Sequence, residues 1–230
     1  GAVNVAARFT STDMDAAQTE VSEATRTATF TPGRDAARKE ASKLNVPRIG
    51  VRFRLPASMN QVEYFGRGPA ENYLDRNAGS MVGLYKSTAE ELYFPYVRPQ
   101  ENGHHTDTRW VSLSTGKKGL LIQADNTIGF NALRNSIEDF DDEEATGLSR
   151  QWSNFTPEQV ANHDEAAAKN VLRRQHHINN ITPRDFVEVC VDLKQQGVAG
   201  YDSWGSRPEP AYTLPANREY NWGFTLIPLK

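Results

Sequence analysis

The chain has 230 residues, of which 38% are hydrophobic, with a net charge of −3 and one cysteine. This length holds one large all-β domain or two small ones, each with a real core. Its scattered lysines and arginines form no basic stripe, which argues against nucleic acid as a partner, and no apolar run approaches the ~18 residues of a membrane-spanning helix. Without such a run, we expect a soluble protein. A single cysteine cannot form an internal disulfide, so the cysteine content leaves the compartment open between cytoplasm and periplasm.

Short strands dominate the pattern of hydrophobic residues. Apolar and polar residues alternate from Ile49 to Leu55, which predicts a half-buried strand. Other strands are predicted at 3–9, 24–30, 61–65, 81–85, 93–97, 108–113, 119–124, 128–133, 186–193 and 218–226, with a turn at 116–119. Short strands at intervals of roughly 8–12 residues are typical of a β-sandwich or barrel, so the predicted fold class is all-β.

One segment, about 139–180, interrupts the strands. Thr156 before Pro157 is a good N-cap, and a helix over 157–174 follows from it. Its apolar residues are small and sparse, which predicts a helical insertion on the surface. A weaker helical composition, with few apolar anchors, occurs at 34–43.

Metal binding is not favoured by the pattern of acidic residues and histidines. The acidic run at 139–144 lacks the glycine and closing glutamate of an EF-hand loop, so we interpret it as solvated. The two histidine pairs, at 104–105 and 176–177, can each offer only one ligand to a given metal site, because neighbouring residues of a strand point to opposite faces. Cys190 lies in a strand between two valines and is interpreted as a small buried hydrophobe.

Two loops carry candidate binding residues. The glycine-rich loop 197–208 presents Trp204, whose indole either plugs the end of a sandwich or stacks on the C–H face of a sugar ring. The loop 98–104 contains Glu101 and His104 among other polar residues, which either bind sugar hydroxyls or satisfy their own backbone. Before both loops in the sequence, 72–77 is rich in turn formers and is predicted to be structural. No nucleophile elbow, phosphate-binding loop or dinucleotide motif is present.

Four motifs resemble a known family. They occur in the family's order: 47–50 (PRIG), 66–76 (GRGPAENYLDR), 95–103 (PYVRPQENG) and 197–205 (GVAGYDSWG). They resemble the C-terminal domain, also called the small-chain domain, of large β-galactosidases of glycoside hydrolase family 2. The resemblance implies a large antiparallel β-supersandwich, galactose-mutarotase-like, over 47–230, with 1–46 supplying its N-terminal strands. The family domain usually begins with a longer β region than residues 1–46 provide, so this chain can be a truncated form of the domain.

The same resemblance implies a division of roles. Such a domain follows a TIM barrel that carries both catalytic glutamates, and this chain contains no Asn-Glu dipeptide of the acid/base motif. We therefore expect no catalytic residue, metal or cofactor here. The tryptophan of the Asp-Ser-Trp motif implies that Trp204 stacks on the substrate beyond the galactose, and Asp202, Glu101 and His104 complete the predicted substrate-binding set.

The expected partners are a galactoside or other sugar, the catalytic TIM-barrel domain and, through an exposed sheet edge, a second copy of the chain. Two alternatives remain. An independent carbohydrate-binding module would use Trp204 and the loop 98–104. An aldose 1-epimerase would use His104 or His105 as the general acid and Glu101 as the general base.

Overall fold

The computed structural model describes residues 2–12, 27–31, 45–140, 178, 181–202 and 206–230. The predicted helices over 34–43 and 157–174, and with them nearly all of the predicted insertion, lie outside the described residues. His176 and His177 lie outside them as well. No helix among the described residues is long and apolar enough to cross a membrane.

Nine strands account for most of the described chain. They are β1 (Val3–Thr12), β2 (Thr27–Thr31), β3 (Arg48–Pro56), β4 (Gln61–Gly68), β5 (Met81–Thr88), β6 (His105–Ser114), β7 (Gly119–Leu133), β8 (Phe186–Gln195) and β9 (Tyr220–Leu229). The described helical turns are short 3-10 segments at Ile137–Phe140 and Pro210–Tyr212. Every described strand pair except β1–β2 is antiparallel, which confirms the predicted all-β class.

The long strand β7 organises the topology. The strands run in the order β2-β1-β9-β7-β6-β4-β5, and β8 leaves β7 to pair with β3. The first part of β7 pairs with β9, and its last part, from Gly129 to Leu133, pairs with β8. Two groups of strands therefore diverge from one edge of β7, as in a sandwich, and one apolar cluster that includes Ile122, Phe130 and Phe224 fills the core.

Strand β8 is buried on both faces and positions the candidate site. Val187, Val189 and Val191 point into the apolar core. The alternate residues Glu188, Cys190 and Asp192 face the other way, and these are buried too. Cys190 is a buried free thiol, as predicted, and burial raises its pKa to about 12. Each buried carboxylate on this face of β8 needs a cationic partner, and β3 supplies arginines that pair with them.

Two strand predictions differ from the structure. The segment 93–97 is irregular, because the side-chain amide of Asn102 occupies its hydrogen-bonding groups: it accepts from the N–H of Phe94 (2.9 Å) and donates to the same residue's carbonyl (2.6 Å). The predicted strands 119–124 and 128–133 form one continuous strand, β7. The polar stretch between them looks like a turn but remains extended.

Candidate functional site

The two loops singled out from the sequence border one cleft. Its volume is about 490 Å³, and it opens to solvent. Gln100 and Glu101 line one side, and the segment 196–200 with Pro208 lines the other. Tyr73, Arg76 and Tyr96 complete the wall. Loops far apart in sequence thus meet at a single concave surface, which is the usual form of a ligand site.

Asp75 holds the glycine-rich loop against the turn 72–77. Its carboxylate accepts hydrogen bonds from the backbone N–H groups of Val198 (3.1 Å) and Ala199 (2.7 Å). A Cβ atom on Gly197 would lie 2.4 Å from the Asp75 carboxylate, so this close approach requires glycine. Asp75 therefore joins the turn to the loop across the cleft, which agrees with the structural role predicted for the turn.

Glu71 fixes the other wall. One carboxylate oxygen accepts from the backbone N–H of Gly103 (2.7 Å) and from the Tyr73 hydroxyl (3.2 Å). The other accepts from Arg76 (2.7 Å) and from the Tyr96 hydroxyl. Burial raises the pKa of Tyr73 above its ordinary value, so its hydroxyl stays protonated and donating. Glu71 therefore orients two polar side chains at the rim, Arg76 and Tyr96.

A buried charge network lies under the cleft. The Arg48 guanidinium donates twice to Asp192, from Nε (2.9 Å) and Nη2 (2.7 Å), and also donates to the side-chain oxygen of Asn131. Asn131 in turn donates to the carbonyl of Asn102 (2.6 Å) and to Glu101 (3.3 Å). The network connects β3, β7 and β8 to the loop that carries Glu101.

Electrostatics in this network follow from burial. Burial raises the pKa of the Asp192 carboxyl to about 6, and the adjacent Arg48 charge limits the rise. Burial opposes the charge on Arg48, but Asp192 beside it keeps the pKa of Arg48 above its ordinary value. Both groups are therefore ionised at neutral pH, and each is the main compensation for the other.

His104 lies beneath the cleft surface and does not line it. Only 2% of the residue is exposed, its ring stacks on Tyr73 at a centroid distance of 5.6 Å, and its Nδ1 lies 2.8 Å from the Asn131 oxygen. Burial lowers the pKa of His104 to about 3. His105 is buried as well, and burial lowers its pKa. Neither imidazole is placed to protonate a sugar, which disfavours the epimerase alternative.

The other predicted binding residues are placed differently. Glu101 is half-buried and lines the cleft, and its contacts in the described part of the chain all use Oε1. Asp202 is exposed and accepts a hydrogen bond from the N–H of Ser206 (3.3 Å), which closes the loop locally. Trp204 lies outside the described residues. Elsewhere in the same loop, Gly200 and Pro208 line the cleft, whereas Asp202 and Ser206, the nearest described residues to Trp204, do not.

No group of three or more His, Cys, Asp or Glu side chains is arranged to hold a metal ion within the described residues.

The sequence did not single out Arg48, Glu71, Asp192 or Gln195, which also belong to this site. Arg48 and Asp192 are 144 positions apart and meet through the pairing of β3 with β8. Such pairings leave no local pattern in the sequence.

Comparisons with known proteins agree on one family. The family model described as the β-galactosidase small chain matches residues 3–226. A β-galactosidase of Priestia megaterium is 35% identical over 185 residues, which cover 80% of this chain and 15% of that protein. A β-galactosidase of an Arthrobacter species is 42% identical over 99 residues, 40% of this chain and 10% of that protein.

A third relative, a β-galactosidase of Vibrio cholerae, is 29% identical over 181 residues, which cover 79% of this chain and 14% of that protein. The chain therefore spans at most 15% of the length of these curated relatives. Any activity of the whole relatives involves much more chain than is present here.

Proposed function

Since the chain belongs to the β-galactosidase small-chain family, we propose that it is the C-terminal domain of a β-galactosidase that hydrolyses terminal β-galactosides. In this proposal the catalytic carboxylates belong to a TIM-barrel domain elsewhere in the parent enzyme. This chain supplies Trp204 to the side of the active site that holds the group leaving with the glycosidic oxygen. The observation that carries the proposal is the meeting of the two motif-bearing loops at one cleft.

The carboxylates around the cleft support a non-catalytic role. Hydrolysis of a glycoside needs two carboxyl groups about 5–10 Å apart on either side of the scissile bond. Among the described residues that line the cleft, Glu101 is the one carboxylate. Glu71 and Asp192 lie nearby but are held by Arg76 and Arg48. A single available carboxylate binds a hydroxyl well, but it does not make a glycosidase.

The position of the Trp204 loop supports the stacking role. Gly200 and Pro208, which belong to that loop, line the cleft, and in this proposal the Trp204 indole meets the ligand that the cleft holds. An indole offers an apolar face to the C–H groups of a sugar and an N–H at its edge. Asp202 belongs to the same loop and is exposed, but it does not line the cleft.

An apolar rim supports docking of a further domain. Three exposed apolar residues are close in sequence to residues that line the cleft: Phe94 and Val97 lie near Tyr96, and Tyr201 follows Gly200. Val97 is 84% exposed. We call these three residues the apolar rim. Exposed apolar side chains beside a polar cleft are typical of a surface that another protein covers. We propose that the catalytic domain covers the rim and closes the cleft.

A second candidate is an independent carbohydrate-binding module. The observation that favours it is that the cleft is already formed within this chain. One partly open cleft buries little of a sugar, so we expect binding by the chain alone to be weak.

Removal of the chain from the parent β-galactosidase tests the main proposal. We expect the chain alone to show no hydrolysis of o-nitrophenyl β-galactoside, and the parent enzyme without it to lose most of its kcat/KM. Adding the separate chain back should restore part of the loss if the apolar rim docks. Unchanged activity without the chain, or hydrolysis by the chain alone, would refute the proposal.

A further inference from the structure

Gln195, the last residue of β8, has an unsatisfied polar atom. The residue is 7% exposed, and its side-chain oxygen Oε1 accepts no hydrogen bond from the described part of the chain. Leaving a buried carbonyl oxygen unpaired costs about 1–3 kcal/mol relative to a satisfied one. Native proteins contain few such groups, and each calls for a reason.

The location of Gln195 suggests that reason. The residue lines the same cleft as Glu101, Arg76 and Tyr96. The Glu101 carboxylate uses only Oε1 for its contacts within the described residues, so Oε2 is a second free acceptor. Arg76 is about half exposed at the wall and supplies donors. Within the described part of the chain, the cleft thus combines two acceptors that receive no hydrogen bond with a cationic donor.

We propose that Gln195 is a sugar-binding residue, whose Oε1 accepts a hydrogen bond from a ligand hydroxyl while Glu101 accepts from a second hydroxyl. The terminal torsion of a glutamine amide is soft, so rotation about it can turn the oxygen toward the cleft when a ligand hydroxyl is there to donate to it. This inference rests on the proposed function, because it assigns a sugar to the cleft. It adds a contact that neither the motifs nor the stacking of Trp204 implies.

The chemistry of the cleft favours a polyhydroxylated ligand over other classes. An anion is disfavoured by the Glu101 carboxylate. A purely apolar group would leave Gln195 Oε1 unpaired and would remove the exposed part of the Arg76 guanidinium from water. A sugar carries several hydroxyl groups that donate and accept, and it therefore satisfies both acceptors and Arg76 together.

A titration followed by NMR tests the inference. Galactose, glucose and lactose are each added to the ¹⁵N-labelled 230-residue chain, and the backbone amide signals of Gly197 and Gly200 report on the cleft wall. We expect saturable shifts with at least one of the three sugars. Gln195→Met keeps the length of the side chain and removes the acceptor, and we expect it to weaken that binding about fivefold, the equivalent of one hydrogen bond.

Stability separates a binding role from a structural one. Gln195→Met removes an unpaired buried oxygen, so Tm should stay unchanged or rise, whereas a structural glutamine would lower Tm when replaced. Gln123→Met, at an exposed position of β7, is the matched control and should change neither Tm nor affinity. Either of two results would overturn the inference: no saturable shift with any sugar, or equal affinity in the wild type and Gln195→Met.

The two proposals fail separately. If the parent enzyme keeps its activity without this chain, the proposed function falls, whatever the titration shows. If removal inactivates the enzyme but Gln195→Met binds sugar as the wild type does, only the role of Gln195 falls. If no sugar shifts any amide signal of the chain, the inference is wrong. The cleft would then be better explained as a surface that a segment of the catalytic domain fills in the parent enzyme.

Discussion

Asp192 neutralises the buried end of Arg48, and the geometry under the cleft depends on this pair. Asp192→Ala removes both hydrogen bonds from the guanidinium and leaves its charge without its main partner in a site that excludes water. We expect a loss of about 3–5 kcal/mol in the free energy of unfolding, measured by urea denaturation.

The control for Asp192→Ala is Glu63→Ala, which breaks the exposed pair of Glu63 with Lys86 (3.4 Å). It should cost less than about 1 kcal/mol, because water screens both charges. Equal losses for the two variants would show that the Arg48 pair is not the buried anchor described above.

His104 makes stability depend on pH. Burial lowers its pKa from 6.5 to about 3, so the unfolded chain takes up this proton first as the pH falls. The stability that neutral His104 contributes is therefore complete above about pH 6.5 and is lost toward pH 3. Asp192 acts in the opposite sense: its pKa is about 6 in the folded chain against an ordinary 3.8, so it adds stability as the pH falls through that interval.

The shift of His104 is the larger of the two, so its loss should dominate. Between pH 7 and pH 4 we expect the wild type to lose more free energy of unfolding than His104→Gln, which cannot take up the proton. Chemical denaturation at several pH values measures both curves. Parallel curves would mean that His104 is not held neutral in the folded chain.

At the scale of single elements, Gly50 permits the close pairing of β3 with β8. The register shifts between Ile49 and Gly50, and a Cβ atom on Gly50 would lie 1.9 Å from the Asp192 side chain and 2.8 Å from the carbonyl of Val191. Gly50→Ala should therefore lower the free energy of unfolding by about 1–3 kcal/mol through overpacking. Gly79→Ala meets no atom within 4 Å and should be nearly neutral. If both alanine variants unfold at the same urea concentration, the packing of β3 on β8 is looser than described.

The strands were largely predictable because their signals are local. Alternation from Ile49 to Leu55 reflects one solvated and one buried face, and β3 has both. The segment 93–97 has the same composition as a strand, but a side chain, Asn102, takes the place of a neighbouring strand. Strand propensities do not reveal that Asn102 takes this place, because the contact forms only in the folded loop.

The site was less predictable for a related reason. Glu101 was found because polar residues cluster along one loop, and the structure places it in the cleft. His104, from the same loop, is turned inward by its contacts with Tyr73 and Asn131. Gln195 looks like an ordinary polar residue at the end of a strand, and its unpaired oxygen is visible only once the surrounding chain is in place.

For the whole molecule, the features of one surface suggest a shared active site. Gly200 and Pro208 of the Trp204 loop line the cleft, and the residues of the apolar rim are sequence neighbours of residues that line it. The chain spans at most 15% of the length of the curated relatives compared above. A rigid β-sandwich suits such a part, because it holds binding loops in place while another domain performs the chemistry. In the proposed function, recognition belongs to this chain and bond cleavage to its partner domain.

The kinetics of the parent β-galactosidase with Trp204→Ala and Trp204→Phe test this account most directly. Loss of the stacking surface should remove roughly 1–3 kcal/mol of binding, which raises KM for lactose about 5- to 150-fold and weakens the preference for sugar acceptors. Phenylalanine retains an aromatic face and should preserve part of both. Unaltered KM and acceptor preference in Trp204→Ala would contradict the proposed role of this chain in the active site.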